Sequence, residues 1–462
     1  MMRAETIGLA RVSTINPPSR VDTMSPFKVP GYGNNSRLER YMLRIGAALA
    51  LVAFLSFCVM WVQWQSAPGV PRISGDFVSF WTAGQLALEG QAADAYQMAP
   101  HFMRQKAVHG DPNWPYLAFF YPPFFLLLCA GFALLGYLPA LCLWLATSFA
   151  CYAAALRALL PKGLREGEPI WVLSLGYPAV MVNAGFGQNG FLSTALLGGA
   201  AVWLDRRPVL AGLCLGCLAY KPQLGIIVPL ALAVAGRWRS FAAAGATVLA
   251  MAAAATLAFG TEIWPPFMAN MAEARLNWLE PINPPYLQYF ITVYGAIRLH
   301  GGPLVLAYAA QGVVSVVAAF MLVRALLRRP PGARSGRAEG AAIAACVPFC
   351  SPFLLEYDLV ILAVPMAWLL SEALRGGFRP GERAILLGAY LAPVLFKLTV
   401  FDNAMKLGII VVAAMLFAAV LRRMTEDPQD FTVRGSYAIA NPVTAGMSEV
   451  LCKTVAVKVE AS

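Results

Sequence analysis

Apolar residues run through this chain in long blocks, with polar residues gathered in the intervals between them. A run of about 17 to 25 apolar residues is long enough to cross a bilayer as one helix. On that measure candidate spans lie at 42–62, 117–135, 137–160, 170–184, 189–204, 208–220, 223–236, 241–259, 286–299, 303–327, 340–355, 357–374, 383–399 and 403–421. Several are short, and about 12 or 13 true crossings are expected. Tyr177-Pro178 and Lys221-Pro222 interrupt two of the runs, which predicts helices that break near one face, as they do where they line a cavity. The pattern is that of an all-α polytopic membrane protein.

Two polar intervals are too long to be plain connectors. In the first, 63–116, Phe80, Trp81, Leu86 and Leu88 predict an amphipathic helix lying on the bilayer surface and ending near Glu89-Gly90, with a second helix from Pro100 to Val108. The other, about 260–290, carries Trp264-Pro265-Pro266, Trp278 and Pro284-Pro285-Tyr286, aromatic types suited to a membrane interface. Together the two are expected to enclose a site. Residues 1–40, punctuated by Pro17-Pro18, Pro30-Gly31 and Gly33-Asn34-Asn35-Ser36, read as a disordered cytoplasmic tail, residues 41–423 as the membrane domain, and 424–462 as a second cytoplasmic tail.

Composition agrees: 59% of the 462 residues are hydrophobic and 13% charged, against about 45–50% and 25% in soluble domains. The formal charge of +11 does not point to nucleic acid, because the basic residues sit between apolar runs. Arg37, Arg40 and Arg44, Arg206 and Arg207, Arg237 and Arg239, the segment 324–337, Arg375, Arg379 and Arg383, and Arg422 and Arg423 mark cytoplasmic loops by the positive-inside rule. Intervals holding Asp76, Glu89, Asp94 and Asp111, Glu262, Glu273 and Glu280, Glu356 and Asp358, and Asp402 then face outward. One conflict follows. If 117–135 and 137–160 both cross, Arg157, Lys162 and Arg165 land outside, so one segment is re-entrant or that loop breaks the rule.

Most of the nine cysteines fall in or beside apolar runs, which argues against a disulfide framework. Cys214-x-x-Cys217 lies inside a helix-like run with no nearby histidine and reads as packing. His101, His109 and His300 are too scattered to suggest a metal cluster.

Candidate chemistry centres on Asp76 in Ser74-Gly75-Asp76-Phe77. Two readings stand beside each other: the N-cap of the following helix, and a carboxylate at the membrane surface able to take a proton from an attacking hydroxyl. Lys221 is a basic residue at a span's outer end, where the charge rule disfavours it. Snorkelling, a phosphate partner or an acidic neighbour would each account for it. Gly185-Phe186-Gly187-Gln188-Asn189-Gly190 is either a plain turn or a place where Gln188 and Asn189 offer amides to sugar hydroxyls. Tyr121-Pro122-Pro123-Phe124 fits a helix start. Glu356, Tyr357 and Asp358 follow Ser351-Pro352 at another outer face, as functional acids or as solvated rim carboxylates.

Gly75-Asp76-Phe77 with Gly90 and Ala95-Tyr96, Tyr121-Pro122-Pro123-Phe124, Gly187-Gln188-Asn189, Lys221-Pro222-Gln223 and Ser351-Pro352 resemble, in order and spacing, glycosyltransferase family 87 of the GT-C superfamily. The resemblance spans roughly residues 70 to 375. It implies a GT-C-like bundle in the plasma (inner) membrane with its active site outward. It also implies a polyprenyl-phosphate sugar donor, a glycolipid or glycan acceptor, and inversion at the anomeric carbon without a required metal or cofactor. By matching position Asp76 takes the catalytic-base role and Lys221 the donor-phosphate role. Gln188, Asn189, Gln223, Tyr121, Glu356, Tyr357 and Asp358 form the sugar or acceptor set. Many members carry a histidine after the Ser-Pro; here Phe353-Leu354-Leu355-Glu356-Tyr357-Asp358 has none, so mannose is one candidate sugar among hexoses. A transporter or flippase of lipid-linked sugars is the rival reading, sharing the apolar bulk and broken helices.

Overall fold

The structure, a computed structural model, describes residues 75–109, 115–161, 174–281, 285–330, 335–398 and 403–426. The expected tail 1–40, the span 42–62 and nearly all of the C-terminal tail lie outside them.

Prolines and glycines decide where the helices start and stop. α1 (Phe77–Leu88) ends ahead of Gly90, whose φ of +80° suits glycine, and α2 is Met98–His109. Pro122-Pro123 disfavours helix at the residue before each ring, so α3 begins only at Pro123 and ends at Ala133. There follow α4 (Tyr137–Leu159), α5 (Pro178–Phe186), α6 (Gly190–Trp203) and α7 (Pro208–Cys217), the last extended by a 3-10 turn, Leu218–Tyr220. Lys221 leaves helical geometry and Pro222 opens a fresh turn, Pro222–Gly225, so the predicted break is present. Beyond it come α8 (Val228–Val234), α9 (Trp238–Phe259), α10 (Trp264–Ala274), α11 (Val293–Leu299), α12 (Leu304–Leu327) and α13 (Gly336–Cys346). A 3-10 segment, Glu356–Leu362, leads into α14 (Ala363–Gly376), then α15 (Glu382–Leu398) and α16 (Asn403–Thr425) close the order.

Among the described residues there is no strand, only an isolated bridge between Phe290 and Leu355. Among the described residues five stretches are long and apolar enough to cross a bilayer: Tyr137–Leu159, Trp238–Phe259, Leu304–Leu327, Glu356–Gly376 and Leu407–Thr425. The protein is an all-α polytopic membrane protein, as the hydrophobic pattern predicts. Its layers separate by burial: 83% of the apolar window in Glu356–Gly376 is covered by protein but only 11% in Trp238–Phe259. The first is a central helix and the second, with Leu249 and Leu257 exposed, presents an apolar face outward. Small residues tighten the centre. Gly340 lies so close to Ala201 that a Cβ there would sit 2.3 Å from the Ala201 methyl, which brings α13 against α6 in the way small residues pack membrane helices.

Three expectations are corrected. α1 is not a surface-lying amphipathic helix, because nine of its twelve residues are buried. Gly84 lets the Cys129 carbonyl of α3 approach to where a side chain would stand, and the Trp81 indole donates to the Leu135 carbonyl (3.0 Å), so α1 is clasped between α3 and the start of α4. The 117–135 run is not one span; α3 has 11 residues, about 16 Å of helix against a ~30 Å hydrocarbon core. The run 340–355 likewise leaves regular helix after Cys346, at Val347-Pro348.

The short α3 removes the topological conflict. Trp144 near the start of α4 donates to the Gly187 carbonyl (3.0 Å), while Ala155 and Leu159 near its end lie against Gly198 of α6. Since α4 and α6 run the same way and α3 does not cross, Arg157 comes to the same end of the bundle as Arg206 and Arg207. That arginine-rich end is tied by two buried glutamates and an exposed aspartate. Glu339 accepts from Arg237 Nε (2.7 Å) and from Arg329, Asp205 accepts from Arg237 Nη2 (2.6 Å), and Glu382 accepts from Arg423 Nη2 (2.6 Å).

Candidate active site

Two glycines with positive φ allow the two key segments to touch. A Cβ on Gly75 (φ +40°) would stand 2.7 Å from the Phe186 carbonyl oxygen, and one on Gly187 (φ +64°) 2.7 Å from the Phe77 Cβ. With neither present, the Asp76 N–H donates to the Phe186 carbonyl at 2.8 Å. This docks Asp76 on the Gly185–Gly190 turn. That turn is in turn held from behind: Asn183 Nδ2 donates to the Gln188 carbonyl (3.1 Å), Asn183 Oδ1 accepts the Gly190 N–H (2.7 Å), and Tyr220 donates to the Asn189 carbonyl (3.1 Å).

Asp76 caps nothing with its side chain. Its own backbone is already helical (φ −73°, ψ −15°), and the carboxylate turns instead to Gln188, whose Nε2 donates to Oδ2 at 2.6 Å. From there a line of polar groups crosses the site. Gln188 Oε1 accepts from the Tyr121 hydroxyl (3.4 Å), that hydroxyl accepts from Asn189 Nδ2 (2.8 Å), and Asn189 Oδ1 accepts from Lys221 Nζ (3.2 Å). Lys221 also donates to Asp358 Oδ1 at 2.5 Å, and its Nζ lies 4.9 Å from the centre of the Tyr357 ring. Lys221 is 2% exposed and Asp358 0%. A lone ammonium could not be held in so dry a place, and the carboxylate is what balances it.

Asp76 itself is half-buried. Burial pushes its carboxyl up to about 6, against the opposing effect of the Gln188 hydrogen bond and the Lys221 charge, with Glu356 adding repulsion. A carboxyl tuned near neutrality is chemically suited to accept a proton from a hydroxyl and release it again.

Of the residues singled out from the sequence, Asp76, Gln188, Tyr121, Asn189, Lys221 and Asp358 are joined by hydrogen bonds, and Tyr357 packs on the cation. Glu356 and Asp358 are not solvated rim carboxylates but buried, at 1% and 0% exposure. Gln223 is half-buried on the turn after Lys221 and takes no part in the line. Sequence reasoning missed Asn183, Tyr220 and Trp144. Asn183 left a signal, as a polar residue in the otherwise apolar Pro178–Phe186.

Both long polar intervals reach this region. Tyr96 of the first packs on Phe267 of the second (5.6 Å between ring centroids), and Asn270 Nδ2 donates to the Phe119 carbonyl at 2.8 Å. Tyr289 lies 6.3 Å from Phe186, beside the turn that carries Gln188. His101 fastens α2 to α1 through Thr82 Oγ1 (2.9 Å).

Residues 119–352 match glycosyltransferase family 87, half of the chain and the stretch that carries Tyr121, Gln188, Asn189 and Lys221. The chain belongs to glycosyltransferase family 87. This family 87 protein is therefore a membrane glycosyltransferase, and family membership decides against the transporter reading. No curated protein and no solved structure matches it.

Proposed function

We propose that this family 87 protein moves a hexose from a polyprenyl phosphate to a hydroxyl of a glycolipid or glycan at the outer face of the plasma (inner) membrane, with Asp76 as general base. The observation that carries this reading is the Asp76 carboxylate, held by Gln188 where the two long polar intervals converge and linked through Tyr121 and Asn189 to a buried cation. On this reading residues 41–423 form the catalytic membrane domain.

The acceptor oxygen forms a bond to the anomeric carbon as the bond from that carbon to the phosphate oxygen breaks. The leaving electron pair departs on the polyprenyl phosphate, the hydroxyl proton passes to Asp76, and attack from the face opposite the phosphate inverts the centre. Lys221 serves the donor phosphate. An ammonium has three N–H bonds, and Asp358 and Asn189 take two of them. Gln188, Asn189 and Tyr121, with Tyr357, Glu356 and Asp358 behind them and Gln223 a turn away, line the sugar and acceptor side.

The outward assignment rests on charge. Arg157, Arg206, Arg207 and Arg237 lie at the end of the bundle away from Asp76, as the positive-inside rule requires of the cytoplasmic side. The test is reconstitution in liposomes with a labelled polyprenyl-phosphate hexose or, in a parallel arm, a nucleotide hexose. Transfer from the lipid donor alone is expected; transfer from the nucleotide donor alone overturns the reading. Mass spectrometry of envelope glycolipids from cells lacking the chain then identifies the acceptor.

A further inference from the structure

The hydrogen bonds between Lys221 and Asp76 all point one way. The ammonium donates to Asn189 Oδ1, the amide of Asn189 donates to the Tyr121 oxygen, the Tyr121 hydroxyl donates to Gln188 Oε1, and the amide of Gln188 donates to Asp76 Oδ2. Both ends fix this sense. Lys221 has only donors to offer, so Asn189 must turn its oxygen to it, and Gln188 Oε1 is held in place by the Asn189 backbone N–H (3.2 Å). A chain of donors running from a cation to an anion polarises every link in the same direction, so the links strengthen one another.

We infer that Tyr121 and Asn189 are positioning residues which carry the influence of Lys221 to Oδ2 of Asp76, leaving Oδ1 as the oxygen that receives the acceptor's proton. Oδ1 takes no hydrogen bond from the described residues, whereas Oδ2 is occupied by Gln188. The amide links cannot pass a proton along the line, so its work is electrostatic and geometric. It favours the ionised form of Asp76 and fixes which oxygen faces the acceptor. The inference rests on Asp76 being the base of the proposed transfer.

Other groups face Asp76 as well. Lys221 acts across space, Glu356 from the 3-10 segment before α14 repels it, Asp358 of the same segment is paired with Lys221, and Tyr289, Tyr357 and Tyr121 are the phenols nearby. Tyr121→Phe changes none of these charges. It removes one hydroxyl while keeping the ring that packs on Phe125 (4.7 Å) and stacks on Tyr220 (6.3 Å).

The experiment is the pH dependence of kcat/KM for sugar transfer in Tyr121→Phe, Asn189→Ala and the double variant, with Asp76→Asn alongside. Either single break is expected to move the acid limb upward by about half to one pH unit, whatever happens to the plateau. The double variant should show the same limb as the single ones, because a series of links is already open after one cut. An unmoved limb overturns the inference even if activity falls, and so do shifts that add in the double variant. Asn189→Ala breaks the line one link earlier and decides the matter alone if Tyr121→Phe is not recovered in the membrane. Activity retained by Asp76→Asn would instead sink the base assignment itself, which separates the two failures.

Discussion

At the scale of single residues, Asp76 is a carboxyl made expensive to ionise by its surroundings. Burial lifts it to about 6, so a transferase that needs the ionised base gains kcat/KM as pH rises through about 6 and levels above it. A profile flat from pH ~5 to ~8 would contradict that. The same shift has a consequence for stability. A carboxyl whose folded value lies above the unfolded one stabilises the fold below the ordinary value of 3.8, and that contribution is lost as pH rises through about 6. Asp76→Asn therefore should raise the thermal midpoint at about pH 7.5 and give no gain near pH 4, measured on the same detergent-solubilised preparation. The sequence exposes this residue because a lone acid beside an apolar run has few bland uses. It does not expose the partner chosen: a residue 112 positions away supplies the hydrogen bond, and no local pattern announces that Gln188 rather than a helix N-terminus would receive the carboxylate.

At the scale of elements, the site depends on two turns pressed together at Gly75 and Gly187. Adding a methyl at Gly187 puts an ordinary residue in the left-handed region, about 1–2 kcal/mol, and forces it against Phe77. Gly187→Ala is expected to cost at least that much stability and to lower transfer more than tenfold by moving Gln188 away from Asp76. Thermal unfolding and steady-state rates on the purified variant check both halves. Helix ends are legible at Pro178, Pro208 and Lys221-Pro222, where proline punctuates, but not at Pro348, which lies inside the unbroken apolar run 340–355. What misled was apolarity without length. The 117–135 run is hydrophobic because α3 and α1 bury each other, not because it crosses, and Phe77 to Leu88 reads as amphipathic while packing has covered both its faces. Burial inside protein and burial in lipid look alike in a hydropathy pattern.

At the scale of the whole molecule, polarity runs from one end to the other. Acid and amide chemistry gathers around Asp76, while arginines clamp buried glutamates at the opposite end. Removing one partner of such a clamp leaves the others uncompensated, typically ~3–5 kcal/mol. Glu339→Gln is expected to lower thermal stability markedly, and because it lies at the far end, the acid limb of the rate profile should not move. Its test is the same pH profile beside a melting curve. Charge placement told this arrangement from the sequence, since arginines fall at alternate helix ends; the two long polar intervals were expected to enclose one site, but the contact that joins them, Tyr96 on Phe267, did not show, because contacts so distant in the chain leave no periodic trace.

The most direct trial of Asp76 as the general base is single-turnover transfer of labelled hexose from a polyprenyl-phosphate donor by the wild-type protein and by Asp76→Asn, each confirmed as folded and inserted. Transfer is expected from the first and a loss of at least about a thousandfold in the second, the scale of removing a general base together with its placement. Equal transfer by both would show that the reaction runs without the carboxylate at position 76, and the proposed mechanism would be wrong.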